Sequence, residues 1–152
     1  MKLLISRLLL AALAAASISI NSFGQSLPRG TWHIVEYRFG EKVEMPADKA
    51  EVTLNIRSGG KLGGNSGCNV YGGSYRFKDG KLVISDLIST MMYCSDDLAS
   101  FERQFGSTLT GADVFKVEKD TLTFTDTDNG SYIKFERSKP RSGSGTKAKS
   151  GN

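Results

Sequence analysis

Histidine, cysteine and proline are all scarce in this sequence. The 152 residues include one histidine, two cysteines and three prolines. A cysteine nucleophile needs a nearby base, most often histidine, and zinc is held by four nitrogen or sulfur ligands or by three and a water molecule. The chain has no close cysteine pair of the C-x2-C type. These shortages disfavour a metal site, and they leave Cys68 with His33 as the one pair that could form a thiol enzyme.

Long apolar runs are confined to the N-terminus. Residues 8–16 are unbroken leucine and alanine, preceded by Lys2 and Arg7, and this run is shorter than the ~20 residues that span a bilayer. We therefore predict that residues 1–24 are a signal peptide cleaved after Gly24. No cysteine stands directly after the run, where a lipid would be attached, and no later segment could span a membrane. The prediction is an exported protein, periplasmic or secreted, that is not a lipoprotein.

A strong excess of charge is also absent once the two ends are set aside. Residues 138–152 are mostly serine, glycine and lysine, a composition that predicts a disordered basic tail. This leaves residues 25–137 as the folded domain. Removing the six basic residues of both ends from the total of 20 leaves 14 against 16 acidic residues. A domain of this charge has no general attraction for nucleic acid, so none is expected as a partner.

The remaining pattern is that of short strands with one helix. Val52, Leu54 and Ile56 alternate with polar residues, which is the period of a strand with one buried face. From Ser95 onward, apolar residues recur at spacings of three and four, which predicts an amphipathic helix ending near Gly111. The predicted fold class is mainly β (α+β). It is a curled, barrel-like antiparallel meander of about seven to eight strands with one packed helix.

The glycine-rich stretch GGNSGCNVYGG at residues 63–73 admits several interpretations. It lacks the GK[ST] ending of a phosphate-binding loop, and no helix pattern follows it. Glycines inside a strand pattern more often mark bends or close backbone packing. Oxidising compartments pair cysteines of exported proteins, so we predict a Cys68–Cys94 disulfide. It would stabilise the domain by about 3.5 kcal/mol.

Two further residue pairs have both a chemical and a structural interpretation. Met91-Met92 could ligate copper, but without a spaced partner we expect these side chains to fill the core. Asp96-Asp97 could act as acid and base, but adjacent aspartates at a helix start more simply cap the helix. We therefore predict no metal, cofactor or catalytic residue.

A series of short motifs runs through most of the chain after the signal. Its positions are Gly30, Thr31, Trp32, Gly67, Cys68, Asn69, Tyr71, Gly73, Thr90 and Cys94. In this order they resemble the META domain, the family of the bacterial heat-shock protein HslJ. The resemblance implies a curled sheet with a packed helix, an envelope location, and no established catalytic residue or cofactor. It therefore implies a structural role for these motif residues.

These observations predict a non-enzymatic exported envelope protein. The resemblance implies a role in stress or antibiotic tolerance, exerted by binding a protein or another envelope component that the sequence does not identify. The alternative is a carrier that holds a small ligand in a cavity of the curled sheet. A filled interior would count against that alternative, and a Cys68–Cys94 bond would count against the thiol enzyme. The oligomeric state is not predicted.

Overall fold

The computed structural model describes residues 26–44 and 51–138. The predicted signal peptide lies outside these residues, and so does the predicted tail apart from Ser138. Within the described residues, no helix is long and apolar enough to cross a membrane.

The described chain is mostly strand, as predicted. The elements are β1 (Gly30–Phe39), β2 (Lys42–Glu44), β3 (Thr53–Arg57), β4 (Lys61–Asn65), β5 (Val70–Lys78), β6 (Lys81–Ser89), α1 (Asp96–Gly111), β7 (Val114–Glu118), β8 (Thr121–Thr125) and β9 (Tyr132–Arg137). The polar composition of residues 40–49, with Pro46, predicts a loop, but residues 42–44 instead form β2, which makes a hairpin with the end of β1; residues 45–49 lie outside the described residues. One curled antiparallel sheet with one helix confirms the predicted fold class.

The sheet consists of two meanders joined through the first strand. The strand order is β6-β5-β4-β3-β1-β9-β8-β7, and every pairing is antiparallel. The expectation that strands pair with their sequence neighbours holds within β3–β6 and within β7–β9. It fails at β1, which pairs with β9 at the opposite end of the chain. Each meander has an apolar inner face, and β1 joins the two faces into one core.

The two outer strands, β6 and β7, approach each other and curl the sheet into a half-barrel. The Leu82 N–H donates to the Asp113 carbonyl at 2.9 Å. The Lys81 ammonium also lies 2.7 Å from the Asp113 carboxylate. These two contacts tie the ends of the sheet without forming a further ladder of strand pairs.

The turns show where local chemistry decides the backbone. Asp79 and Gly80 connect β5 to β6, and both have positive φ, at 52° and 78°. This is the geometry expected of an Asp-Gly hairpin. Asn129-Gly130 suggests the same turn by sequence, but only Gly130 has positive φ. The loop there is longer because the Asp126 carboxylate accepts from the Asp128 N–H and the Asn129 amide.

The helix and the inner face of the sheet fill the interior with large side chains. The largest fully buried ones are Trp32, Phe105, Phe124, Phe135, Leu27, Leu54, Leu109, Leu122, Ile133 and Val52. Ser95 caps α1 by accepting from the Leu98 N–H, and the helix ends at Gly111 as predicted. Phe105 and Leu109 of the predicted apolar stripe are buried, whereas Phe101 is only partly buried. The stripe therefore closes the half-barrel at one end and leaves an aromatic ring near the surface at the other.

Candidate functional site

The glycine-rich stretch forms two strands and the loop between them. Gly63 and Gly64 lie in β4, where a Cβ on Gly63 would come within 2.6 Å of the Tyr71 carbonyl oxygen. A Cβ on Gly64 would overlap the Thr53 carbonyl. Glycine is required here because neighbouring backbones pass too closely for any side chain. The stretch is thus a packing device, in agreement with the structural interpretation.

The loop between β4 and β5 is held by one carboxylate from the helix. Glu102 Oε1 accepts from the Ser66 hydroxyl at 2.5 Å, the Cys68 N–H at 3.2 Å and the Asn69 N–H at 2.7 Å. Its Oε2 accepts from the Asn69 side-chain amide at 2.6 Å. We call this group, with Thr90, the Asn69–Glu102 junction. Glu102 was not singled out from the sequence, since a glutamate in mid-helix carries no local signal of its partners.

Asn69 extends the junction to the segment that leads into the helix. Its side chain is 6% exposed. Its Oδ1 accepts from the Thr90 hydroxyl at 2.9 Å and from the Met92 N–H at 2.8 Å. The Thr90 hydroxyl oxygen in turn accepts from the Val70 N–H. Asn69 therefore joins three chain segments with a nearly complete set of amide hydrogen bonds.

The junction also sets the charge state of its glutamate. Partial burial raises the pKa of Glu102, but hydrogen bonds from Ser66, Asn69 and Cys68 outweigh burial and hold the pKa below its ordinary value. Hydrogen bonds to the charged form favour that form. Glu102 is thus an ionised and fully engaged carboxylate, which suits a structural anchor better than an acid or a base.

Cys68 and Cys94 are joined by a disulfide beside the junction, with their Cα atoms 6.3 Å apart. The chain contains only these two cysteines. The two sulfur atoms and a Glu102 carboxylate oxygen lie within 4.8 Å of one another. Sulfurs in a disulfide are not thiolates and do not ligate a metal ion. The oxidised protein therefore has neither a Cys68 nucleophile nor a cysteine metal site.

Other residues from the sequence analysis lie apart from this group or serve the packing. Tyr71 is buried, donates its hydroxyl to the Thr53 carbonyl at 2.9 Å and packs edge-on against Phe105. Burial raises the pKa of Tyr71 far above its ordinary value. A Cβ on Gly73 would lie 3.0 Å from the Ser85 carbonyl oxygen. His33 lines a separate shallow cleft next to β9.

The expectation that Met91 and Met92 fill the core is wrong. Their side chains are 98% and 56% exposed. The reason is that the Met92 N–H is bound by Asn69, which holds the segment between β6 and α1 on the outside of the half-barrel. Tertiary hydrogen bonding thus overrides the apolar character of this pair.

An open cleft lies on the other side of the helix, between its first turns and the β1–β2 hairpin. Three aromatic rings line it. The ring centroids are 4.7 Å apart for Tyr37–Phe39, 5.1 Å for Tyr37–Phe101 and 5.8 Å for Phe39–Phe101. The cleft has a volume of about 360 Å³, and its other lining residues are Glu44, Asp97, Ser100 and Gln104. We call it the aromatic cleft.

The charged groups of the aromatic cleft are acidic. The Tyr37 hydroxyl donates to Glu44 Oε2 at 2.9 Å. Burial, followed by this hydrogen bond and the charge of Glu44, raises the pKa of Tyr37 to about 12. Asp97 contributes a second carboxylate from the first turn of α1. The cleft therefore combines three partly buried rings with two carboxylates.

Sequence reasoning missed the aromatic cleft as a site. The sequence pattern around Tyr37 predicts a strand, Phe101 falls on the apolar stripe of the helix, and the polar stretch that contains Glu44 predicts a loop. The available signal is the i, i+2 spacing of Tyr37 and Phe39, which places both rings on one face of β1. What the spacing does not show is that the helix covers this face only in part.

The described residues thus form a small half-barrel domain with a structural polar junction and an open cleft suited to binding. A family model described as the META domain matches residues 25–139. The chain belongs to the META domain family, which confirms the resemblance seen in its motifs. A comparison with curated proteins finds no match.

Solved structures share this fold. A Burkholderia xenovorans protein solved by NMR is 28% identical, with a TM-score of 0.62, over 74% of this chain and 83% of that one. A DUF4847 family protein from Bacteroides vulgatus, solved by crystallography, is 18% identical, with a TM-score of 0.51, over 74% of this chain and 94% of that one. At that identity the second likeness shows the fold alone.

Proposed function

We propose that this META-domain chain is an exported, non-enzymatic binding protein of the envelope, and that it contacts its partner through the aromatic cleft. The observation that carries the proposal is the contrast between a filled interior and an open cleft beside three partly buried aromatic rings. Small-molecule and partner sites are concave and combine apolar side chains with polar groups. The aromatic cleft is concave and combines the three rings with four polar side chains.

A binding role is favoured over catalysis by the state of the reactive groups. Cys68 is held in a disulfide, so it offers no nucleophile. Glu102 is engaged by four hydrogen bonds, so it is poorly placed to exchange a proton with a substrate. A thiol enzyme that uses Cys68 with His33 therefore lacks its nucleophile.

Export is supported by the disulfide, because such bonds persist in oxidising compartments. It also agrees with the predicted signal peptide. Intact mass of the exported protein tests this part, and we expect the mature chain to start at Gln25. A chain that retains residues 1–24 in the envelope would overturn the predicted cleavage. A role in stress or antibiotic tolerance rests on the family resemblance and belongs to the same proposal.

The carrier alternative requires a cavity inside the curled sheet. Fully buried rings of Trp32, Phe105, Phe124 and Phe135 occupy that space instead. Because protein interiors pack to the density of organic crystals, these rings leave no room for a second molecule between them. We therefore place the proposed binding on the surface and not in the lumen of the half-barrel.

Site-specific cross-linking in the producing cells tests the proposed contact. A photoreactive amino acid at Gln104, which lines the aromatic cleft, should give one discrete cross-linked species in the envelope fraction. The matched control is the same amino acid at Arg103, its exposed neighbour on α1 that does not line the cleft. The species is then identified by mass spectrometry and its binding reconstituted with purified components. Equal labelling from both positions would contradict a contact at the cleft.

A further inference from the structure

We propose that the outer face of β4, β5 and β6 carries a second binding site, and that it takes an extended peptide segment with an apolar side chain and an acidic one two positions away. We call this site the outer groove. It shares no lining residue with the aromatic cleft, so the inference goes beyond the proposed function. It follows from a glycine that the fold does not require, from apolar side chains open to solvent and from an excess of positive charge at one end.

Gly72 forms the floor of the outer groove, and the fold leaves room there for a side chain. A Cβ on Gly72 would meet no atom closer than the Leu62 carbonyl oxygen at 3.9 Å, and its φ lies outside the left-handed region. A Cβ on Gly63 or Gly73 would instead come within 2.6 Å or 3.0 Å of a backbone oxygen. Gly72 therefore differs from the glycines that serve close packing, and its missing side chain leaves the groove open.

The outer groove consists of two connected depressions that share Gly72 and Ile88. One has a volume of about 360 Å³ and lies beside Val70. The other has a volume of about 400 Å³ and reaches Arg57 and Lys61. An elongated, concave surface of this kind admits an extended chain, whereas a flat membrane surface cannot enter it.

The apolar end of the outer groove is exposed and held in place. Val70 and Ile88 are 56% and 75% exposed, so their apolar surface is open to solvent. The Val70 N–H donates to the Thr90 hydroxyl at 3.1 Å, and the Thr90 N–H donates to the Val70 carbonyl at 3.0 Å. Exposed apolar patches mark interaction sites, and a surface that is already ordered costs little to bind.

The other end of the outer groove is basic. Arg57 and Lys61 are exposed, and among the described residues no ion pair involves either of them. The Lys61 ammonium donates only to the Ser74 hydroxyl, at 2.9 Å. Asp86 is the one acidic side chain among the lining residues, which leaves an excess of positive charge. Charge complementarity therefore favours a carboxylate of the partner at this end.

Strand register gives the spacing of the two groups that the partner needs. Lys61 lies opposite Ser74, two residues along β5 from Gly72, which is a separation of about 7 Å. In an extended peptide, residues two positions apart point to the same side and have the same separation. An apolar side chain over Gly72 thus brings an acidic side chain two positions away to Lys61.

Titration of the processed, oxidised chain with the peptide acetyl-Glu-Thr-Leu-Thr-Glu-amide, followed by amide NMR shifts, tests the proposal. The leucine has an acidic residue two positions away on each side, so the peptide fits in either direction. We expect shifts at the start of β5, the end of β6 and the β3–β4 turn. A peptide with glutamine for both glutamates should bind about threefold more weakly, and one with serine for leucine about tenfold more weakly. Absence of shifts, shifts elsewhere or equal binding of the three peptides would overturn the proposal.

Two matched pairs of variants locate the effect. Gly72→Val fills the floor of the groove and should weaken peptide binding by about tenfold, without lowering the thermal midpoint, because valine suits a strand. Thr123→Val adds the same side chain to β8, outside the groove, and should leave binding unchanged. Lys61→Gln should weaken binding by about threefold, whereas Lys78→Gln, further along the sheet on β5, should not. Equal effects within either pair would contradict the site.

Other occupants of the outer groove give different results in the same experiment. Shifts of the groove amides that depend on protein concentration without peptide would indicate a second copy of the chain. Loss of the same signals with phosphatidylglycerol vesicles would indicate a membrane surface. Either result would overturn the peptide assignment. The Gln104 cross-link reports on the aromatic cleft and should persist in Gly72→Val, so each proposal can fail while the other holds.

Discussion

Phe101 and Glu102 are neighbours on α1, yet they belong to regions of opposite character. Glu102 points into the Asn69–Glu102 junction, where its carboxylate accepts four hydrogen bonds. Phe101 faces the aromatic cleft, where its ring is only partly covered. The junction is a network in which one carboxylate accepts four hydrogen bonds, whereas the cleft is open and combines partly buried rings with carboxylates near the surface. Since a satisfied polar network stabilises one structure and concave sites with apolar and polar groups suit binding, we assign stability to the first region and propose binding for the second.

Removal of the disulfide should produce the largest effect and should act on the junction side alone. Cys68→Ser with Cys94→Ser releases a bond that spans 26 residues. We expect the free energy of unfolding to fall by about 3.5 kcal/mol, because the unfolded chain regains loop entropy. Urea denaturation of the oxidised chain and the double variant measures this change. An unchanged cross-link from Gln104 in the folded variant would sharpen the comparison, whereas its loss would show that the two regions are coupled.

Glu102→Gln should give the next largest effect. An amide at this position places an NH2 group where the Asn69 amide or the backbone N–H groups also donate, so at least one donor loses its acceptor. We expect a loss of about 1–2 kcal/mol in unfolding free energy, below the range for fully buried charged groups because the junction is partly open to solvent. The control is Glu118→Gln, an exposed glutamate paired with Lys116, which should leave the urea midpoint unchanged. Equal urea midpoints for both variants would mean that the hydrogen bonds of Glu102 do not stabilise the domain.

Phe101→Leu should have a smaller effect on stability than either change at the junction. The leucine keeps apolar contact with the core but loses ring contacts with Tyr37, Phe39 and Phe105. We expect a loss of about 1 kcal/mol in unfolding free energy together with a weaker cross-link from Gln104. Thermal unfolding beside the cross-linking experiment separates the two effects. A variant that is strongly destabilised but binds normally would reverse the assignment of the two regions.

The pH dependence of the unfolding free energy should show the smallest of these effects, through the charge of Glu102. The pKa of Glu102 is lowered in the folded protein, so its contribution to stability is complete above the ordinary value of 4.5 and is lost as pH falls through the lowered pKa. The difference in unfolding free energy between the wild type and Glu102→Gln should therefore shrink as the solution is acidified below that value. Denaturant titrations across this range measure it. A difference that stays constant with pH would mean that the charge of Glu102 is not what the junction uses.

Asp113 provides an internal reference in the same experiment. Its pKa is lowered to about 2, first by the hydrogen bond from Lys81 and then by those from Thr127. Its contribution is lost as pH falls from about 3.8 towards about 2. Both proteins contain this contact between β6 and β7, so both should share its acid loss. Only the part of the pH dependence that differs between them belongs to Glu102.

Much of the fold was predictable because its signals are local. The alternation of Val52, Leu54 and Ile56 gave a strand with one buried face, and the serine cap gave the start of α1. The pairing of β1 with β9 was not predictable in this way, because contacts between the two ends of the chain leave no local pattern. The exposure of Met91 was also missed, since it depends on a hydrogen bond that the neighbouring Met92 N–H donates to the Asn69 side-chain oxygen.

The two regions differ in how much of each could be predicted from the sequence. The motif positions Gly67, Asn69 and Thr90 could be marked as structural through the family resemblance, and the Cys68–Cys94 pair through cysteine counting. Glu102, the acceptor shared by Ser66, Cys68 and Asn69, could not be found, because its four donors come from a loop more than thirty residues earlier in the chain. The aromatic cleft could not be predicted from the sequence for a related reason, since its rings come from two separate elements, β1 and α1.

The sequence by itself determined the class of fold, the helix limits, the turn at Asp79-Gly80 and the two cysteines that pair. These properties depend on backbone preferences and on the periodic placement of apolar residues, which act over a few neighbours at a time. The tertiary structure alone decided which apolar residues are covered and which stay at the surface. Phe105 and Phe101 share one helix stripe, but Phe105 is enclosed by the core, whereas Phe101 lies beside the β1–β2 hairpin and lines the open cleft. The helix period is the same at both positions, so only the packing of distant elements around each ring decides how far it is covered.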